Sequence, residues 1–314
     1  MCSSDLSSAY ESRPVHFIHS PFTMTSSIDR GSLIAKALAV DASAARVQRV
    51  GERPLALGQI ALSFHVASAG IVRKMLTQGG VAHTVVEHPH ERIYEMLGNG
   101  EIDMAISAWL PGSHGAYVAP YEAELVKLGV LYEPYTIWGV PDYVPADAVA
   151  SLQDLAKPDV AQRMNKLIQG IGPGAGISRF SREIVARYKL DAQGYEFRNG
   201  SLADCVGAFE RAVAERRWAV VPLWHPQYLH SMYRIRPLAD PEGLLRGKDA
   251  ATLVVRRDAA PLLPPAVLAR LAKLSLGNAA VAELDFLVSR ERLDPLAAAQ
   301  RWMSAHPREV AAWD

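Results

Sequence analysis

Short apolar runs alternate with longer helical periods along this chain, and the alternation occurs twice, which confines the fold to a narrow class. In the first block Gln59–Phe64 (QIALSF) predicts a strand, Val66–Gln78 a helix, Thr84–Glu87 a strand, Glu91–Leu97 a helix and Ile102–Ser107 a strand. The pattern restarts after Pro145. Lys166–Gly170, Gly194–Phe197 and Ala219–Leu223 predict strands, separated by helices over Ile177–Tyr188 and Leu202–Arg216. Tyr135–Val144 (YTIWGVPDYV) lies between the blocks and is extended in character; Tyr233–Pro237 and Ala250–Arg257 follow the second as further extended segments. Strands alternating with helices build βαβ units and a mainly parallel sheet. Two such blocks joined by two extended crossings predict an α/β protein of two lobes. The expected division is 55–140 with 248–314 as the first lobe and 141–247 as the second, with a helical C-terminal stretch from Pro264 to Trp313. In that stretch Asp294-Pro295 and His306-Pro307 read as helix starts.

Composition removes several function classes. Lys plus Arg and Asp plus Glu number 33 each, so there is no basic excess to displace counterions from nucleic acid. Cys2 and Cys205 are far apart and give neither a disulfide framework nor a metal-ligand spacing. No apolar stretch reaches the roughly 18 residues that a membrane-crossing helix needs. Residues 1–54 read as tail and linker, poorly ordered, with at most a short helix over Leu33–Val47. Residues 1–28 are Ser-rich and carry no recognisable secretory signal, and Ser32–Val40 is too short and is interrupted by Lys36.

Chemistry-bearing residues gather where strands end, which is where α/β proteins bind ligands. Ile102–Ser107 runs into Trp109-Leu110-Pro111-Gly112-Ser113-His114, Ala219–Leu223 runs into Trp224-His225-Pro226-Gln227-Tyr228, and Gln59–Phe64 ends in Phe64-His65. One tryptophan at such a place is more often packing than function; two, each beside a Pro-stiffened turn, favour a binding role. Indole faces attract cations by about 0.5–2 kcal/mol, and a trimethylammonium group, which donates no hydrogen bond, suits an aromatic receptor. The Gly-rich turn Gly170–Ile177 follows one predicted strand and opens a helix, so the amides of Gly174, Ala175 and Gly176 are candidates for holding a carboxylate, as is His65. It fits neither the dinucleotide fingerprint nor a P-loop, and a tight turn needing glycine explains it about equally well. His83, His88 and His90 read as solvated loop residues without a metal motif. Ser113-His114 lacks a nucleophile elbow and a third partner.

Several motifs resemble the glycine betaine-binding proteins of ABC importers. They are Gly100-Glu101-Ile102-Asp103, Ala108-Trp109-Leu110-Pro111, Val140-Pro141-x-Tyr143-Val144-Pro145, Ile171-x-Pro173-Gly174-Ala175-Gly176-Ile177, Val220-Val221-x-Leu223-Trp224-x-Pro226, and the C-terminal Arg301-Trp302 and Val310-x-x-Trp313. They run in order over roughly residues 57–314. The resemblance implies a type II periplasmic-binding-protein fold, two α/β lobes with mixed, mainly parallel sheets joined by a two-stranded hinge. It also implies an aromatic cage in which Trp109 and Trp224 match two walls, a small zwitterionic or cationic ligand, no cofactor or metal, ABC permease and ATPase partners, and a periplasmic location. The stretch expected to give a third wall, Leu274–Asn278, has no aromatic residue. Phe64, Tyr228 or Trp138 is then expected to close the box, or the substrate is less cationic than glycine betaine. The expected ligand contacts are Trp109, Trp224, Phe64, His65, His114, Gly174, Ala175, Gly176 and Tyr228. Two other readings stay open: a cytosolic ligand sensor, and an enzyme on the same bilobed fold.

Overall fold

In the computed structural model, which describes residues 53–314, the first block forms a five-stranded sheet. Strand β1 (Leu55–Ile60) pairs in parallel with β2 (His83–His88) on one side and β3 (Met104–Leu110) on the other. Helix α1 (Ser63–Gln78) joins β1 to β2, and α2 (His90–Gly98) joins β2 to β3. Both connections are the crossovers that parallel strands require. The outer half of the sheet is antiparallel: β10 (Ala250–Arg256) lies between β3 and β4 (Leu125–Tyr132). The tail reading and the helix expected over Leu33–Val47 lie outside the described residues.

The sequence pattern missed β4, whose LVKLGVLY mixes Lys and Gly into an apolar run and leaves no clean period of two. Phe64 and His65 also differ from expectation. β1 stops at Ile60, and both residues fall in the first turn of α1 instead of at a strand end. The run QIALSF is mostly apolar, with only Gln59 and Ser63 polar, so hydrophobicity alone could not show where strand gives way to helix.

The second block carries two smaller sheets. β5 (Tyr135–Pro141) pairs antiparallel with β8 (Val221–His225) and β9 (Ile235–Pro237), while β6 (Leu167–Gln169) pairs in parallel with β7 (Glu196–Arg198). Helices α3 (Gly115–Val118), α4 (Pro158–Arg163), α5 (Gly176–Arg187), α6 (Leu202–Ala214) and α7 (Leu229–Met232) complete the region between β3 and β9. Because β5 belongs to the second sheet along its whole length, the expected lobe boundary at residue 140 runs through a strand; the chain crosses between sheets at 133–135. The return crossing is at 248–249. There Tyr135 bridges Lys248, and the Asp249 N–H donates to the Pro134 carbonyl at 2.7 Å. These paired crossings are the two-stranded hinge between the lobes.

The C-terminal helices α8 (Pro265–Lys273), α9 (Gly277–Ser289), α10 (Pro295–Ala305) and α11 (Pro307–Ala311) return to the first lobe, where α9 and α10 pack on α1. Asp294 caps α10 by accepting the Leu296 N–H at 2.8 Å, with Pro295 at the first helical position. Trp302 and Trp313 stack with ring centres 6.2 Å apart and are buried among these helices. Among the described residues no helix is long and apolar enough to cross a membrane.

Candidate functional site

Trp109 belongs to the first sheet and Trp224 to the second, yet both line one cavity. Local backbone geometry aims the first indole. In β3, Ile106 and Ser107 together oppose a single residue of β10, a bulge that lets Ser107 take φ 64°. That left-handed conformation is costly for a residue with a side chain. It is held by a 2.5 Å hydrogen bond between the Ser107 and Tyr132 hydroxyls. Tyr132 in turn accepts the Trp109 Nε1–H at 3.0 Å, fixing the ring. Beyond the indole the turn is closed by hinge contacts: the Gly112 and Ser113 N–H groups donate to the Asp249 carboxylate at 2.6 and 3.0 Å.

Phe64 stands between the two tryptophans, with its ring centre 5.3 Å from each. Of the three residues considered for the missing wall, it is the one that lines this cavity. Trp138, also considered for that wall, is sealed in the second lobe, where its Nε1–H donates to Ser181 Oγ at 2.8 Å. Tyr228, the remaining candidate, is buried and is not among the residues lining the cavity. Gly174 is also set back. Its carbonyl accepts the Tyr117 hydroxyl at 2.9 Å and Arg179 Nη1–H at 2.5 Å, while Ala175 and Gly176 reach the lining.

Three histidines form the polar side. His65, His90 and His114 are all buried, and their nitrogens lie within 4.8 Å of one another. His90 is therefore not the solvated loop residue expected from sequence: it opens α2 with its ring turned inward, 5.2 Å from that of His114. Burial, the leading cause, pulls all three below the ordinary histidine range, His90 to about 4. They are neutral at physiological pH. Such spacing could suit a metal, but the surrounding bonds oppose it. A metal-ligating histidine donates its other ring N–H to an acceptor. Here the His114 Nδ1 accepts, from the Trp109 backbone N–H at 2.9 Å and the Tyr94 hydroxyl at 2.8 Å. The network thus assigns the His114 proton to Nε2, which becomes a donor and not a ligand.

Two helices begin at the cavity, α1 after Leu62 and α5 after Ala175, and neither has a side-chain cap. Apolar residues stand where Ser, Thr, Asp or Asn normally satisfy the first amides. Both open amide ends favour an anionic group. The space between these walls is small, about 260 Å3 even when its open mouth is included. It is lined by aromatic faces on one side and neutral N–H donors on the other. That arrangement suits a small solute with a cationic and an anionic or polar end.

The two lobes also touch directly around this space. Arg179 Nη2–H of α5 donates to the Ser113 carbonyl at 2.5 Å. Gly176 approaches Ser113 so closely that an added Cβ would lie 2.8–2.9 Å from its atoms.

Comparison with known proteins places this architecture. Residues 53–305 match the family described as the substrate-binding domain of ABC-type glycine betaine transport systems. A glycine betaine/carnitine transport binding protein of Listeria monocytogenes is 26% identical over 158 residues, covering 50% of this chain and 52% of that protein. The chain thus spans about half the length of this curated relative. Among solved structures, lactococcal OpuAC in its closed, glycine betaine-bound form aligns with TM-score 0.73 and 22% identity, over 83% of this chain and 99% of that one. A choline-binding protein complexed with choline aligns with TM-score 0.72 and 19% identity, over 83% and 91%. A glycine betaine/L-proline-binding protein from Borrelia burgdorferi aligns with TM-score 0.72 and 20% identity, over 83% and 96%. At these identities the structural likeness establishes a fold, that of the type II periplasmic binding proteins. With a family match across most of its length, the chain belongs to the substrate-binding domains of ABC-type glycine betaine transport systems.

Proposed function

We propose that this protein captures glycine betaine or a related quaternary-ammonium compound between its lobes, without bond chemistry, and presents it outside the cytoplasm to an ABC permease and its ATPase. One observation carries the reading: indoles from different sheets, Trp109 and Trp224, line one small cavity with Phe64 against both. Their faces, with Phe64, receive the trimethylammonium group. The open amides at the starts of α1 and α5, and the Nε2–H of His114, receive the carboxylate; His65 stands beside them. We take residues 53–133 with 249–314 as the first lobe and 134–248 as the second.

A thermal-shift screen against glycine betaine, proline betaine, choline, carnitine and ectoine tests the reading. A ligand at about 100 times its Kd adds about 2.7 kcal/mol of stability, roughly a 5–10 °C rise in Tm for a domain of this size. At least one quaternary-ammonium compound is expected to do this. If none of them does, the assignment fails.

A further inference from the structure

Asp285, in the middle of α9, is fully buried, and no lysine, arginine or histidine forms an ion pair with it among the described residues. Its two oxygens are satisfied by weaker partners. One accepts the Tyr228 backbone N–H at 2.9 Å and the other the Ser289 hydroxyl at 3.0 Å. The Ser63 hydroxyl lies alongside without hydrogen-bond geometry. Arg290, the next basic group along the chain, faces Glu210 at 3.8 Å and the Tyr228 side chain. Burial raises the Asp285 carboxyl to about 6, so at neutral pH it is ionised. An ionised carboxylate without a cation is expensive to bury and calls for a compensating charge.

Each wall of the cage leads back to this carboxylate. Tyr228 lies in the turn that carries Trp224, and Ser63 directly precedes Phe64. Burial, with a minor contribution from the Asp285 charge, pushes the Tyr132 hydroxyl up to about 12, and that hydroxyl accepts the Trp109 Nε1–H. Asp285 does not itself line the cavity. It is fully buried and bonded to the backbone of the turn that carries Trp224, so its field acts through a medium of low polarity. Resting on the quaternary-ammonium reading above, we infer that Asp285 is a fixed counter-charge behind the aromatic cage, one that makes the site prefer a quaternary cation to an uncharged molecule of the same shape.

A sign follows for pH. A bound cation lowers the Asp285 pKa. Affinity for the cation is then full above about pH 6, where the free carboxyl is ionised, and declines as pH falls through the free and then the bound value. The other titratable or charged groups facing this region are Tyr132, Tyr228, Glu210, Arg290 and the histidines of the cavity, with His90 ionising only near pH 4.

The test is calorimetric titration of the full chain and of Asp285→Asn with choline and with its neutral isostere 3,3-dimethylbutan-1-ol at pH 7.5, and with choline again at pH 5. Asparagine keeps an oxygen for the Tyr228 N–H and removes the charge, while its NH2 turns the Ser289 hydroxyl from donor to acceptor. The variant is expected to lose about tenfold in choline affinity (about 1.4 kcal/mol), to bind the isostere as the parent does, and to lose the parent's decline between pH 7.5 and 5. Equal choline affinity in the two proteins, or equal losses for choline and isostere, overturns the counter-charge. If Asp285→Asn does not fold, the parent decides, because choline affinity independent of pH over that span overturns it as well. A parent that binds neither choline nor glycine betaine removes the quaternary-ammonium reading and the counter-charge together, whereas a binding parent with an indifferent variant removes only the latter.

Discussion

His114 accepts two hydrogen bonds at Nδ1, and so the ring presents an N–H to the cavity at the cost of holding a neutral imidazole in a dry place. His65 and His90 share that condition. The unfolded chain takes up protons on these residues below about pH 6.5, while the folded chain resists. The stability present above that pH is therefore lost as pH falls. Asp285 works the other way: its folded value of about 6 is raised, and it favours folding as pH falls below that. Between pH 6 and 4 it offsets part of the histidine effect. Replacing His90 by Asn should leave stability at pH 7 nearly unchanged by titration and recover about 2 kcal/mol of the loss at pH 5. Urea unfolding of both proteins at the two pH values measures this; an equal loss in the variant would refute the assignment of the acid sensitivity to His90. The sequence announced Trp109 and Trp224 because each is followed by Pro at the end of a readable strand. It could not announce the histidine cluster, whose members at 65, 90 and 114 meet only when two helix starts and a turn converge.

Helix starts are where this fold departs from its own local rules. Leu62 and Ala175 occupy positions that a stabilising sequence would give to Ser, Thr, Asp or Asn, and both border the cavity. The Gly-rich turn before α5 was legible as a strand-to-helix turn, but glycine's steric reason was not. Gly176 is required because Ser113, from the other lobe, occupies the place of its Cβ. Gly176→Ala should therefore leave each lobe intact and penalise their approach by about 1–3 kcal/mol, the usual range for overpacking. The expected outcome is weaker ligand binding with an unchanged unfolding midpoint for the ligand-free protein. A lowered midpoint together with unchanged affinity would show that the glycine serves its own lobe. The α/β grammar of both blocks was readable because period and length separate helix from strand there. β4 and the exact start of α1 were not, since their apolar runs carry no distinguishing period.

Two lobes, a paired hinge and one shared cavity fit the proposed capture of a ligand between lobes. Tyr117 to Gly174 and Arg179 to Ser113 are contacts made across the gap. A ligand stabilises that arrangement only by the additional free energy with which it binds the closed state. The hinge is coupled to the site by Asp249, which lies on the return crossing and holds the turn after Trp109. The most direct measurement is calorimetric titration of glycine betaine, or of whichever quaternary-ammonium compound gives the largest thermal shift, into the parent, Trp109→Ala and Trp224→Ala. Each variant, although altered in a different lobe, is predicted to fold and to lose about 1–3 kcal/mol of binding. Affinity unchanged in either one would contradict a grip formed by both halves of the molecule.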